Sequence, residues 1–338
     1  MVVSHAFLSI FSILYYISVA FLLNVTNSLV FRGGLRLPCL LIVGQLSLFS
    51  LLYLLAVVLG FIPNRKKYLF MTNRLLLLML FFFVMNLANM TALATIDDVV
   101  IFIGVRRTLC LFVLILECSF LSKKPTLLVF FSVVCITLGA LWSVLFRSKP
   151  FNFYGLLLVI IGNLSNALYL IWIPFASENG IFGTVALTVS LSCWSLPLMI
   201  TVALFQGEVS RLKIFLQNET SSVAFWTAFG FSSVLGCFIS HATYMNSIHN
   251  SPLTHSMSGH IKDILIIFIG SWIGIGSLPS TREERMGLAL NILGGFLYAY
   301  AKYKENSTRA ILTRGTNMIT ISSSDKLSLE TKHTPTSP

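Results

Sequence analysis

Ten apolar runs, each close to the ~20 residues a helix needs to cross a ~30 Å hydrocarbon core, constrain this chain before any other feature. They lie near 6–31, 38–61, 74–95, 98–120, 125–146, 153–175, 181–206, 222–246, 252–275 and 284–302. In lipid a backbone must satisfy its own hydrogen bonds, so segments of this length become helices. The chain therefore reads as an all-α polytopic membrane protein with about ten transmembrane helices. Composition agrees, since 56% of the 338 residues are hydrophobic and only 10% are charged. The acids Asp97 and Asp98 interrupt one long apolar stretch and are expected to form a tight loop.

The formal charge of +11 does not indicate nucleic-acid binding, because the basic residues are scattered through short loops and a tail, with no compact basic domain. Their distribution sets an orientation instead. With both termini on one side, that side carries twelve Lys and Arg residues and the other carries eight, which predicts cytosolic termini. The sequon at Asn218 falls in the longest loop of the opposite side, where a glycan could be added. The first run starts at Ala6 without a basic stretch ahead of it and reads as a retained span. All six cysteines lie inside apolar runs and read as small core residues rather than a disulfide framework.

The expected organisation is a transmembrane domain over 1–304 and a disordered cytosolic tail over 305–338, rich in Ser, Thr, Lys and Pro. An even count of spans divides into two inverted five-helix halves, about 1–147 and 148–304, with a transport site near the midplane between them.

Chemistry concentrates between Ser240 and Ser271, where histidines, a lysine, an aspartate and small hydroxyl residues interrupt the apolar pattern. A helix starting near Pro252 would carry Lys262 roughly 15 Å inward, about midplane depth. A charge at that depth faces a water-filled cavity or a partner. Ser251, His255, Ser258 and Lys262 share one helical face, while Leu253, Met257, Ile261 and Leu265 form an apolar one. The plainer reading is a lysine paired with a carboxylate for packing alone.

Three basic residues, Arg106, Arg107 and Lys262, remain inside the spans, against Glu117 and Asp263. The interior is thus expected to be cationic by one, which suits an anionic solute such as a pyrophosphate. Arg106 and Glu117 lie roughly 16 Å apart along a helix and cannot pair, and Glu117 reads as interfacial. The histidines show no metal-site spacing. No nucleophile–base set, Walker loop or paired carboxylates occur, so neither enzymatic activity nor a cofactor is expected.

Asn250-Ser251-Pro252-Leu253-Thr254 followed by Gly259-His260-Ile261-Lys262-Asp263 resembles the N-S-A-L-T…G-x-x-K-N signature of nucleotide-sugar transporters in the drug/metabolite transporter superfamily. The likeness continues at Leu37-Pro38, Gly44-Gln45, Asn86, Val105-Arg106-Arg107 with Glu117, Lys123-Lys124, Gly139-Ala140 and Gly155. The branch is that of GDP-mannose, UDP-glucuronate and UDP-N-acetylhexosamine carriers. The resemblance implies a Golgi or endoplasmic-reticulum antiporter that exchanges a cytosolic nucleotide sugar for luminal nucleoside monophosphate, with Gly259 and Lys262 lining the substrate cavity and a homodimer left open. On that reading Lys262 and one of Arg106 or Arg107 hold phosphates, while His255, Ser258, Asn250 and Asn163 contact sugar or base. The chain departs from the family at Thr188-Val189-Ser190-Leu191, where a Tyr-Asn base-recognition pair is usual, and at Gly162-Asn163 and Pro174. Transport of another phosphorylated or organic anion, and a non-transporting membrane scaffold, are the alternatives.

Overall fold

The computed structural model describes residues 5–32, 36–59, 73–96, 98–147, 152–177, 184–217, 223–274 and 278–305. All regular structure in these residues is helical: α1 (His5–Arg32), α2 (Pro38–Val58), α3 (Asn73–Thr95), α4 (Val99–Arg106), α5 (Thr108–Phe120), α6 (Leu127–Leu145), α7 (Phe153–Ser177), α8 (Thr184–Phe205), α9 (Glu208–Gln217), α10 (Val223–His249), α11 (Pro252–Trp272) and α12 (282–305). Eight spans among the described residues are long and apolar enough to cross a membrane, α4 and α5 counting together as Val99–Phe120. The chain is an all-α, multi-pass membrane protein. The polar stripe of α11 and the charged ends of α12 lower the hydropathy of the last two helices.

Helix boundaries follow local chemistry. Proline occupies the start of α2 and of α11, where its missing N–H has no intrahelical partner to lose. Asp98, Thr126 and Ser251 each accept a backbone N–H in the first turns of α4, α6 and α11. The Asp98 cap accounts for the tight loop expected there, while Asp97 lies outside the described residues. So do Asn218 and the tail beyond 305.

One element departs from expectation. The segment after Phe205, read as loop, contains α9, which is too short and polar to register as a span. Its Glu208 carboxylate accepts from the N–H groups of Cys39 (3.2 Å) and Leu40 (2.8 Å), which satisfies the start of α2, and Phe215 packs on Phe225.

Large apolar side chains such as Leu54, Phe153, Phe205 and Trp272 point outward, whereas Arg107, Glu117, Arg147, Lys262, Asp263 and Glu284 are buried. Lipid explains this arrangement, because hydrocarbon accepts the apolar surface and excludes unpaired charge. Among α1 to α11 the most extensive helix packing joins α3 to α7, α1 to α10 and α2 to α8. Glycine sets the closest approach: a Cβ on Gly139 would meet the Asn291 nitrogen at 2.5 Å, and one on Gly287 would meet the Gly139 oxygen at 2.6 Å. Near one end of the bundle Arg147 joins Asp98 (2.6 Å) to Glu284 (3.4 Å), tying the starts of α4 and α12 to the end of α6.

Candidate functional site

The site begins with a break in a helix. At Arg107 the α4–α5 span turns, with Arg107 N–H donating to the Gly104 carbonyl (3.2 Å) and Cys110 N–H to that of Arg107 (3.1 Å). From α7, Asn163 Nδ2 donates to the carbonyls of Val105 and Arg106 (both 3.3 Å) and to Thr108 Oγ1 (2.9 Å). A polar side chain thus satisfies carbonyls freed at the kink, as irregular backbone inside a membrane requires. The break also lets two consecutive arginines turn toward one space.

That space is a cavity of about 140 Å³, walled by α1, α2, α3, the α4–α5 junction, α7, α10 and α11. Arg107 forms an ion pair with Asp263 and donates to the Gly259 carbonyl (3.5 Å). Lys262 Nζ lies 2.8 Å from the other Asp263 oxygen. Arg106 has no carboxylate within ion-pair distance among the described residues; its guanidinium carbon sits 5.8 Å from the centroid of the Phe102 ring. Three cations therefore stand around one carboxylate, which pairs with two of them.

Glu117, the second acid in the sequence-based balance, is not part of this arrangement. It lies near the opposite end of α5, where it accepts from Leu253 N–H (3.4 Å) and stands 3.7 Å from exposed Lys123. The charge excess at the cavity is two, not one, because helical spacing puts Glu117 near the helix end, beyond reach of Arg106. Asp263 belongs to both Arg107 and Lys262.

Of the residues singled out from sequence, Lys262, Gly259, His255, Arg106 and Arg107 line the cavity. His255 packs on Tyr16 with ring centroids 4.3 Å apart and the planes tilted by 47°, and a Cβ on Gly259 would meet the Tyr16 hydroxyl at 3.6 Å. The other four take supporting positions. Ser258 accepts from Asn246 Nδ2 (2.9 Å) and Ser251 caps α11. Asn250 joins Ser9, Ser12 and Asn246, and Asn163 holds the helix break.

Sequence reasoning missed a set of carboxamides. Asn24, Asn27, Asn89 and Asn166 line the same cavity, together with Gln45 and Asn86. Asn27 Oδ1 receives both Gln45 Nε2 (3.3 Å) and Ser232 Oγ (2.5 Å), which ties α1, α2 and α10 together. Tyr169 donates to Tyr244 (2.7 Å), tying α7 to α10. The signal was present in the sequence as amides at helical spacing within apolar spans, such as Asn86 and Asn89 on α3, one and two turns beyond Phe82.

The chemistry of this cavity suits an anion: two positive charges without carboxylate balance stand in a low-dielectric setting, surrounded by neutral donors and acceptors. Comparisons with known proteins point to the same class. No protein-family model matches the chain. It is 26% identical over 242 residues to the UDP-N-acetylglucosamine transporter UGNT1 of Arabidopsis thaliana, covering 72% of this chain and 67% of that one. The UDP-sugar transporter sqv-7 of Caenorhabditis elegans is 23% identical, over 61% of this chain and 62% of its own length. The UDP-galactose/UDP-glucose transporter 7 of Arabidopsis thaliana is 26% identical, over 64% and 68%. A solved crystal structure shares the fold, with a TM-score of 0.56 at 12% identity, covering 89% of this chain and 99% of that one. The chain is thus a divergent relative of the nucleotide-sugar transporters.

Proposed function

We propose that this protein is a ten-span antiporter of Golgi or endoplasmic-reticulum membranes that carries a nucleotide sugar inward from the cytosol and returns luminal nucleoside monophosphate. Arg106 carries the reading. A guanidinium facing a midplane cavity without a carboxylate partner is costly unless an anion completes it. Lys262 and Arg106 hold the phosphates, Gly259 leaves room beside them, and Arg107 with Asp263 fixes their geometry. The named substrates of the relatives favour a UDP-sugar.

Adding α11 and α12 to the eight apolar spans gives ten, with both termini cytosolic. Helix packing supports two inverted halves: the pairing of α1 with α10 is matched by that of α7 with α3, and α1 against α11 by α7 against α5. In alternating access the Tyr169–Tyr244 and Asn27–Gln45–Ser232 contacts open in turn.

A second reading, a carrier of a base-free phosphorylated anion, draws on α8. There Thr188-Val189-Ser190-Leu191 is buried and contributes nothing to the cavity lining. Counterflow in proteoliposomes separates the two. Vesicles preloaded with uridine monophosphate should take up labelled UDP-sugar, and the Lys262→Ala variant should not. Uptake driven equally well by inorganic phosphate would favour the second reading.

A further inference from the structure

The carboxamides around the cavity differ in what they already bind. Asn24 and Asn86 donate to carbonyls of their own helices, Ala20 (2.7 Å) and Phe82 (2.8 Å). Asn27 and Gln45 are engaged with each other and with Ser232. Asn89 and Asn166 make no side-chain hydrogen bond among the described residues; the Asn89 oxygen is fully buried, and Asn166, 8% exposed as a residue, keeps its amide atoms open at the cavity. A buried carboxamide oxygen without a partner, as at Asn89, forfeits its hydrogen bonds with water, and folded proteins rarely leave one so. Both residues face the cavity.

Their placement is specific. Asn89 on α3 rests on Gly162 of α7, where a Cβ would come within 2.7 Å of its oxygen. Asn166 follows Gly162 by one helical turn and shares its face. Aromatic rings stand beside both amides: Phe82 precedes Asn89 by two turns on α3, and Tyr169 follows Asn166 on α7. These rings contact each other at 5.7 Å between centroids and also line the cavity. The cations come from a different wall, the α4–α5 junction and α11.

We infer that Asn89 and Asn166, with the Phe82 and Tyr169 rings beside them, form a nucleobase subsite on the α3–α7 wall. A carboxamide presents one acceptor and one donor side by side, the complement of the N3–H and O4 edge of uracil. Hydrogen bonding to that edge combined with aromatic contact is a general way for proteins to read an unstacked base. This subsite supplies the base contact that α8 does not make. The inference rests on the nucleotide-carrier reading above and adds which wall selects the base.

The test compares uridine monophosphate with ribose 5-phosphate, by calorimetric titration of the purified full-length protein in nanodiscs. Wild-type protein should bind the nucleotide more tightly. Asn166→Ala, and separately Asn89→Ala, should weaken the nucleotide about tenfold, the worth of one hydrogen bond, and leave ribose 5-phosphate unchanged. Because neither amide has a protein partner, both variants should retain the wild-type melting temperature. Equal affinity for the two ligands, or parallel loss of both in the variants, would overturn the base subsite and leave the anion site standing. In a parallel titration with UDP-N-acetylglucosamine, a loss of affinity in the variants that uridine monophosphate does not show would move the amides to the sugar and likewise overturn it. Failure of the wild-type protein to bind either phosphate would overturn the underlying carrier reading.

Discussion

Lys262 Nζ lies 2.8 Å from Oδ1 of Asp263, its neighbour in the chain, while the other Asp263 oxygen is held by Arg107. One carboxylate therefore serves two cations on two different helices, and Arg106 is left facing the cavity beside an aromatic ring. Two kinds of basic residue follow from this geometry. Arg107, tied to both Asp263 and the Gly259 carbonyl, holds the protein together, whereas Lys262 at the cavity edge and Arg106 without a carboxylate are available to a ligand.

That division predicts different phenotypes for Arg106 and Asp263. Arg106→Gln should change stability by less than about 1 kcal/mol while sharply reducing anion binding. Asp263→Asn removes the charge that balances two buried cations and should cost about 3–5 kcal/mol. Thermal unfolding in detergent, read beside ligand titration, checks both. A strongly destabilised Arg106→Gln variant would contradict the assignment.

The buried Arg147 cluster should behave as structure alone. Replacing Arg147 with Met removes the cation shared by Asp98 and Glu284 and should destabilise the fold by about 3 kcal/mol or more. Ligand affinity of the protein that remains folded should stay at the wild-type level. Titration of the surviving fraction gives the answer, and a selective loss of affinity would tie the cluster to the cavity.

Gly139 and Gly230 make a matched pair. Gly139→Ala forces α6 away from α12, since its new Cβ would overlap the Asn291 nitrogen, so folded yield and melting temperature should both fall. Gly230→Ala meets nothing within 4 Å and should be neutral or stabilising by up to about 1 kcal/mol. Equal effects would mean that the α6–α12 contact is looser than described.

The spans were visible in the sequence because lipid demands long apolar runs, and charged residues within them, Arg106, Arg107 and Lys262, marked the cavity for the same reason. The start of α11 at Pro252 and the inward face of His255 and Lys262 followed from proline chemistry and helical spacing. Three things did not follow. The turn at Arg107 depends on Asn163 from another helix, and nothing local in Val105-Arg106-Arg107 announces it. The carboxamide lining draws on four helices, α1, α2, α3 and α7, so no single span displays the set. Glu117 read as interfacial from helical spacing, and the structure places it there, so the charge balance that still included it understated the excess at the cavity.

The most direct measurement of the central claim is the thermal stability of the purified protein with uridine monophosphate and UDP-sugars, beside the Lys262→Ala and Arg106→Gln variants. A ligand at one hundred times its Kd should stabilise the wild-type fold by about 2.7 kcal/mol. The account predicts that both variants lose that stabilisation. A wild-type protein that no nucleotide or sugar nucleotide stabilises, or variants stabilised as fully as wild type, would contradict it.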